Sequence, residues 1–173
     1  MDGRWRDRAE VARWLDSRDA VGIELLSQPP SRLSRLAGKA THLIASDLPR
    51  AIESAQRLAN GRQIHVSPLL REIPLPIPNV SGRFPLWMWG TLIHLRWSYR
   101  IARGTDASSS DVARVASAVE WLAQFTSGET LALVVTHGVF RRLLAKEVVR
   151  MGWRSDGRHG GYAPWSSWHF TVR

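Results

Sequence analysis

Two short apolar runs constrain the fold of this chain more than any other feature, because each breaks at a polar turn and passes directly into a helix. Thr41 to Ala45 leads into Ser46-Asp47-Leu48-Pro49-Arg50-Ala51-Ile52-Glu53-Ser54-Ala55, and Thr130 to Thr136 leads into His137-Gly138. A continuous apolar run of this length, without polar alternation, fits a strand covered on both faces in a parallel sheet. Parallel strands need crossover connections, usually helical. The expected class is therefore α/β: a three-layer sandwich with a mostly parallel sheet and right-handed crossovers.

Helical periodicity supplies the other layers. Val11, Ala12 and Leu15 are spaced for a surface helix over Arg8 to Asp16, although nothing before it reads as a strand. From Pro49, the residues Ala51, Ile52, Ala55 and Leu58 mark a helix that Asn60-Gly61 stops. Ser27 to Ser34 reads as a loop leading into a short helix around Leu33 to Ala37, and Gln63 to Ser67 as a second short strand. Five prolines from Pro68 to Pro85 keep the next stretch irregular as far as Phe84. Leu86 to Ile101, with Trp87, Trp89 and Trp97, reads as helix. Ser110 or Asp111 can cap a further helix whose face is Val112, Val115, Ala116, Val119 and Leu122, ended by Gly128. Val139 to Met151 is the last predicted helix, and Ser167 to Val172 a closing edge strand. No repeat or low-complexity segment divides the chain, so residues 1–173 read as one domain.

Cysteine is absent, which excludes disulfides, thiolate zinc sites and thiol nucleophiles. The 24 Lys+Arg against 15 Asp+Glu give a net charge of +9, a field that favours anionic partners. Nearly all of that excess is arginine, which a genome rich in G and C would also produce. The basic residues are scattered, and no nucleic-acid-binding motif accompanies them, so nucleic acid is disfavoured as a partner. The first eight residues hold no apolar core of a secretory signal, and the longest apolar window, Phe84 to Leu95, is far short of the roughly 20 residues that span a bilayer. The expectation is a cytoplasmic protein without a membrane partner.

In open α/β sheets, ligands bind beyond the carboxyl ends of the strands, where helix starts present backbone N–H groups. Both special turns belong there. Arg50 offers a planar fork suited to phosphoryl oxygens, His137 a second donor, and Gly138 a close approach of the backbone. Taken singly, Arg50 is a surface arginine opposed by its helix dipole, and His137 a strand-end imidazole satisfied by a carbonyl. Their equivalent places in two separate strand-turn-helix units favour a shared anion. Glu72, in Leu70-Arg71-Glu72-Ile73-Pro74, either hangs over the same sheet edge or pairs with Arg71.

The ordered trio Ser46-Asp47-Leu48-Pro49-Arg50-Ala51, Leu70-Arg71-Glu72 and Thr136-His137-Gly138 resembles the histidine phosphatase superfamily, the phosphoglycerate-mutase-like proteins. The likeness covers roughly residues 8 to 150. It implies a phosphoglycerate-mutase-like sheet and phosphomonoester hydrolysis through a phosphohistidine. It also implies Arg50, His137 and Gly138 as phosphate-binding groups and Glu72 and His137 as catalytic ones, with Glu72 protonating the leaving oxygen and then activating water. It implies neither metal nor cofactor, and a phosphorylated small molecule or phosphoprotein as partner. The Trp-rich segment at about 84–104 occupies the interval where relatives carry a helical cover, with core packing as the other role for its rings.

One part of the pattern is missing. Residues 1 to 20 hold neither the family's first strand nor the Arg-His-Gly whose histidine attacks phosphorus. Arg158-His159-Gly160 does occur, but in a glycine-rich stretch that does not read as a strand. Two expectations follow: either the protein begins about 10–30 residues upstream of Met1, a length that holds one strand and its turn, or it is a relic that binds phosphate compounds without turnover.

Overall fold

The computed structural model describes residues 4–24, 26–126, 128 and 130–172. In chain order these form β1 (Trp5–Arg6), α1 (Arg8–Ser17), α2 (Ser31–Lys39), β2 (His42–Ser46), α3 (Pro49–Ala59), β3 (His65–Ser67), β4 (Phe84–Pro85), α4 (Leu86–Ala102), α5 (Ser109–Ala123), β5 (Ala132–Val135), α6 (Gly138–Arg150), β6 (Arg154–His159) and β7 (Ser167–Thr171). The fold is α/β and phosphoglycerate-mutase-like, with six helices and a three-stranded parallel sheet ordered β3-β2-β5. The chain divides into two compact units, one of residues 1–21 and 73–108, the other of residues 22–72 and 109–173.

The larger unit holds the sheet. Its register sets Ser46 against Ser67 on one side and Ala45 against Val135 on the other, so the carboxyl ends of all three strands finish level at one edge. Leu43, Ile44 and Ala45 are buried as a continuous apolar run requires. Leu33, Ala37, Ala40, Leu43, Leu58 and Ala59 form a core that Leu133, Val135 and Trp165 join from β5 and the carboxyl-terminal segment. The carboxyl ends of α2 and α3 are closed together. Asn60 adopts the left-handed conformation (φ 48°) that stops α3, and Arg62 donates to the carbonyls of Ala37, Ala40 and Ala59 at the ends of α2 and α3.

Three expectations needed correction here. β5 is only half-buried rather than covered on both faces, because among the described residues it pairs with β2 alone and is an edge strand. α5 begins at Ser109, ahead of the predicted cap, and leaves Val112 exposed while Ala118 joins Val115, Val119 and Leu122 inside. Arg158-His159 lies at the end of a strand after all: β6 pairs antiparallel with β7, and this partner makes a strand of a polar sequence.

The smaller unit is built on α1 and α4. Asp7 and Glu10 cap α1 reciprocally, the Asp7 carboxylate accepting from Glu10 N–H and the Glu10 carboxylate from Asp7 N–H. Val11, Trp89 and Ile93 are its buried centre, with Leu15, Ile77, Val80, Phe84 and Leu86 around them. Trp89 is a core residue whose indole N–H donates to the Arg6 carbonyl, whereas Trp87 on the same helix is exposed. A strand does precede α1, but β1 is two residues long and pairs antiparallel with β4, apart from the parallel sheet. Among the described residues no helix is long and apolar enough to cross a membrane.

Candidate functional site

The level strand ends bring the sequence-derived residues to one place. Ser46 closes β2, and its hydroxyl accepts from Leu48 N–H to tighten the turn; Pro49 then opens α3 with Arg50 in its first turn. His137 stands at the corresponding position after β5, just before α6. The Arg50 Nε–H donates to His137 Nδ1 at 3.2 Å, although 87 residues separate them. With the Arg50 N–H directed at it, Nδ1 is the acceptor of the ring, which assigns the ring N–H to Nε2. His137 is buried and Arg50 half-buried, so both act where water screens them incompletely.

Glu72 joins them through the start of α6. His137 offers that helix no side-chain cap, which leaves the first N–H groups in need of acceptors. The Glu72 carboxylate supplies them, accepting from Phe140 N–H at 2.9 Å and from Val139 N–H at 3.4 Å. The acid therefore hangs over the same sheet edge, and Arg71 pairs with Asp47 instead, through a bidentate contact of 2.6–3.0 Å. That contact holds the Asp47 carboxyl below its ordinary range against the opposing effect of burial, with a smaller contribution from His137.

The loop that carries Glu72 is gripped from two sides. Thr136 donates its hydroxyl to the Leu70 carbonyl at 2.8 Å, which ties the loop to the turn before His137. Arg114 of α5 donates to the carbonyls of Leu69 (3.1 Å), Arg71 (2.7 Å) and Glu72 (3.5 Å), and its guanidinium carbon lies 5.0 Å from the Phe140 ring centroid. Arg114 was not foreseen from sequence, since on its helix it reads as one more solvated cation. Its neighbour Asp111, three positions earlier and 3.4 Å away, is an ordinary helix pair and gives no sign of a distant target.

Gly138 opens α6 directly after His137, with its backbone outside the left-handed region. A Cβ built there would meet Tyr162 Cδ1 at 3.5 Å. One turn further, Arg141 donates to Ser166 and Gly161 and stacks on Trp168. Burial lowers its pKa, while Tyr162 and Glu72 oppose that shift.

The model of the histidine phosphatase superfamily (branch 1) matches residues 19–167 of this chain. The chain belongs to the histidine phosphatase superfamily. No curated protein and no solved structure matches it. In this histidine phosphatase family member, Arg50, Glu72, His137 and Gly138 all lie at the carboxyl edge of one parallel sheet. Of the tripeptide Arg158-His159-Gly160, Arg158 and His159 end β6 in the separate antiparallel β6–β7 pair, with the His159 ring packed 5.8 Å from that of His169.

Proposed function

We propose that this domain binds phosphomonoesters, with Arg50 and His137 gripping the phosphoryl group and Glu72 serving as the acid for the leaving oxygen. The observation that carries the reading is the 3.2 Å approach of Arg50 to His137 beside the Glu72 carboxylate at the start of α6. A preorganised cation and imidazole at a helix start stabilise the equatorial oxygens of a phosphoryl transition state without reorganising at the moment of reaction. Glu72 accepts from amides in the resting site, and it acts as an acid once protonated.

Turnover in this reading needs an attacking histidine, and β1 and α1 hold none. Hydrolysis then runs through a phosphohistidine, with Glu72 activating water in the second half-reaction. The family match crosses both compact units, which favours treating them as one domain acting on a phosphorylated small molecule or phosphoprotein in the cytoplasm. The second reading, a phosphate-binding protein without turnover, uses the same clamp and needs no nucleophile.

Inorganic phosphate tests the clamp directly. Titration calorimetry should show binding that Arg50→Ala weakens at least about tenfold, the scale of one lost charge-assisted contact. Unchanged affinity would remove Arg50 from the site. For the 173-residue chain we expect little or no hydrolysis of an aryl phosphate. Robust turnover that survives loss of His159 but not of His137 would make His137 the nucleophile and overturn the roles assigned above.

A further inference from the structure

The cation-rich face of the β6–β7 hairpin begins one residue beyond His137. Tyr162, in the connection between the two strands, lies against Gly138, where an added Cβ would be 3.5 Å from its ring. From there the contacts pass to Trp168, whose ring centroid is 5.7 Å from that of Tyr162. The guanidinium carbon of Arg141 stands 4.5 Å from the Trp168 centroid, and that of Arg158 stands 4.3 Å from it. Two cations thus share one indole. Stacking favours each of them separately, but like charges held this close repel.

Among the described residues no carboxylate forms an ion pair with either arginine. Arg158 makes no ion pair among the described residues, and its side chain is exposed at the end of β6. Arg141 directs its donors to neutral oxygens, the Ser166 carbonyl and hydroxyl and the Gly161 carbonyl, and its buried Nε has no hydrogen-bond partner among the described residues. Glu72, whose field reaches Arg141, is already bonded to the α6 amides. Arg32 adds a third cation on the flank, donating to Ser167 Oγ at 3.1 Å and to His169 Nε2 at 2.9 Å. An exposed guanidinium fork without a paired carboxylate, held beside a flat aromatic surface, suits a carboxylate or phosphate oxygen pair.

We propose that this face is a second anion subsite, with Arg158 over Trp168 as its donor and Arg141 on the same ring adding to its positive field, so that the ligand of this domain is a phosphomonoester carrying a further anionic group. The subsite deepens the reading of Arg50 and His137 as a phosphate clamp and rests on it. Arg141 is pinned and sets the local field; Arg158, held only by its stacking contact, is the group that turns to meet the ligand.

Titration of the full chain with butyl phosphate and with butane-1,4-diyl bisphosphate separates the two sites. The bisphosphate should bind about tenfold more tightly than the monophosphate, beyond the roughly twofold statistical gain of its two ends. Arg158→Gln should reduce that preference to the statistical gain and leave butyl phosphate affinity unchanged, while Arg158→Lys should keep part of it. Equal affinities in the unmodified protein, or a preference that Arg158→Gln does not alter, would overturn the subsite. Failure of the clamp reads out differently, as butyl phosphate binding that is absent or indifferent to Arg50→Ala. In that case bisphosphate binding that still depends on Arg158 sustains the subsite, and its absence removes it.

Discussion

A carboxylate that caps a helix belonging to another part of the chain carries two duties, and at Glu72 they can be separated. The Phe140 and Val139 amides need an acceptor, which a neutral amide oxygen can provide; the helix dipole and any acid role need the carboxyl group. Glu72→Ala should therefore cost about 1 kcal/mol of stability through the lost cap. Glu72→Gln should retain most of that stability, and under the proposed role it should depress any phosphomonoester turnover. Urea denaturation of the two variants checks the first statement. Equal losses in both would mean that the charge, rather than the acceptor, supports α6. The sequence left Glu72 between two places, over the sheet edge or paired with Arg71, because the partner a carboxylate meets is set by the fold and not by its neighbours in the chain.

Elements announced by local chemistry were the readable ones. α3 runs from Pro49 to the left-handed Asn60, both set by backbone preferences of single residues, and α4 follows its apolar density closely. β6 was hidden because Arg154 to His159 has no apolar alternation; it is a strand because β7 offers a ladder to it. Arg114 illustrates the same limit in the other direction. Its three carbonyl partners follow β3, more than 40 residues earlier in the chain, and only the packing of α5 brings them within reach. Replacing it with methionine keeps the stem but removes its hydrogen bonds to three partly exposed carbonyls, which should destabilise the protein by about 1 kcal/mol. Arg114→Lys should recover only part, since a point charge cannot serve three carbonyls in a fork. A change below about 0.5 kcal/mol in chemical denaturation would place Arg114 among the solvated cations.

At the scale of the whole molecule, two titrations point the same way. The pKa of His169 lies below its ordinary value through burial, then through Arg32 and His159, and its Nε2 accepts from Arg32 as the neutral ring must. The unfolded imidazole protonates near about 6.5, so this contribution is complete above that pH and is lost as pH falls through the lowered folded value. Asp47, held down by Arg71, contributes fully above about pH 4 and loses that contribution as its own lowered pKa is crossed. Stability should therefore decline on acidification in two stages. The first stage should shrink in His169→Asn and the second in Asp47→Asn, as measured by denaturation midpoints from pH 8 to pH 3. A stability that rises between pH 7 and pH 5 would contradict the neutral assignment of His169.

The sequence by itself determined the alternation of strands and helices and the family, because apolar runs, helix starts and turn residues are local signals that act over a few positions. It also nominated Arg50, Glu72 and His137. Only the tertiary structure decided that Arg50 meets His137, that Glu72 caps α6 while Arg71 takes Asp47, and that two arginines share Trp168. Those pairings join residues tens of positions apart through sheet register and helix packing, and the partner of a long charged side chain is set by which carbonyl or carboxylate the fold carries into its reach.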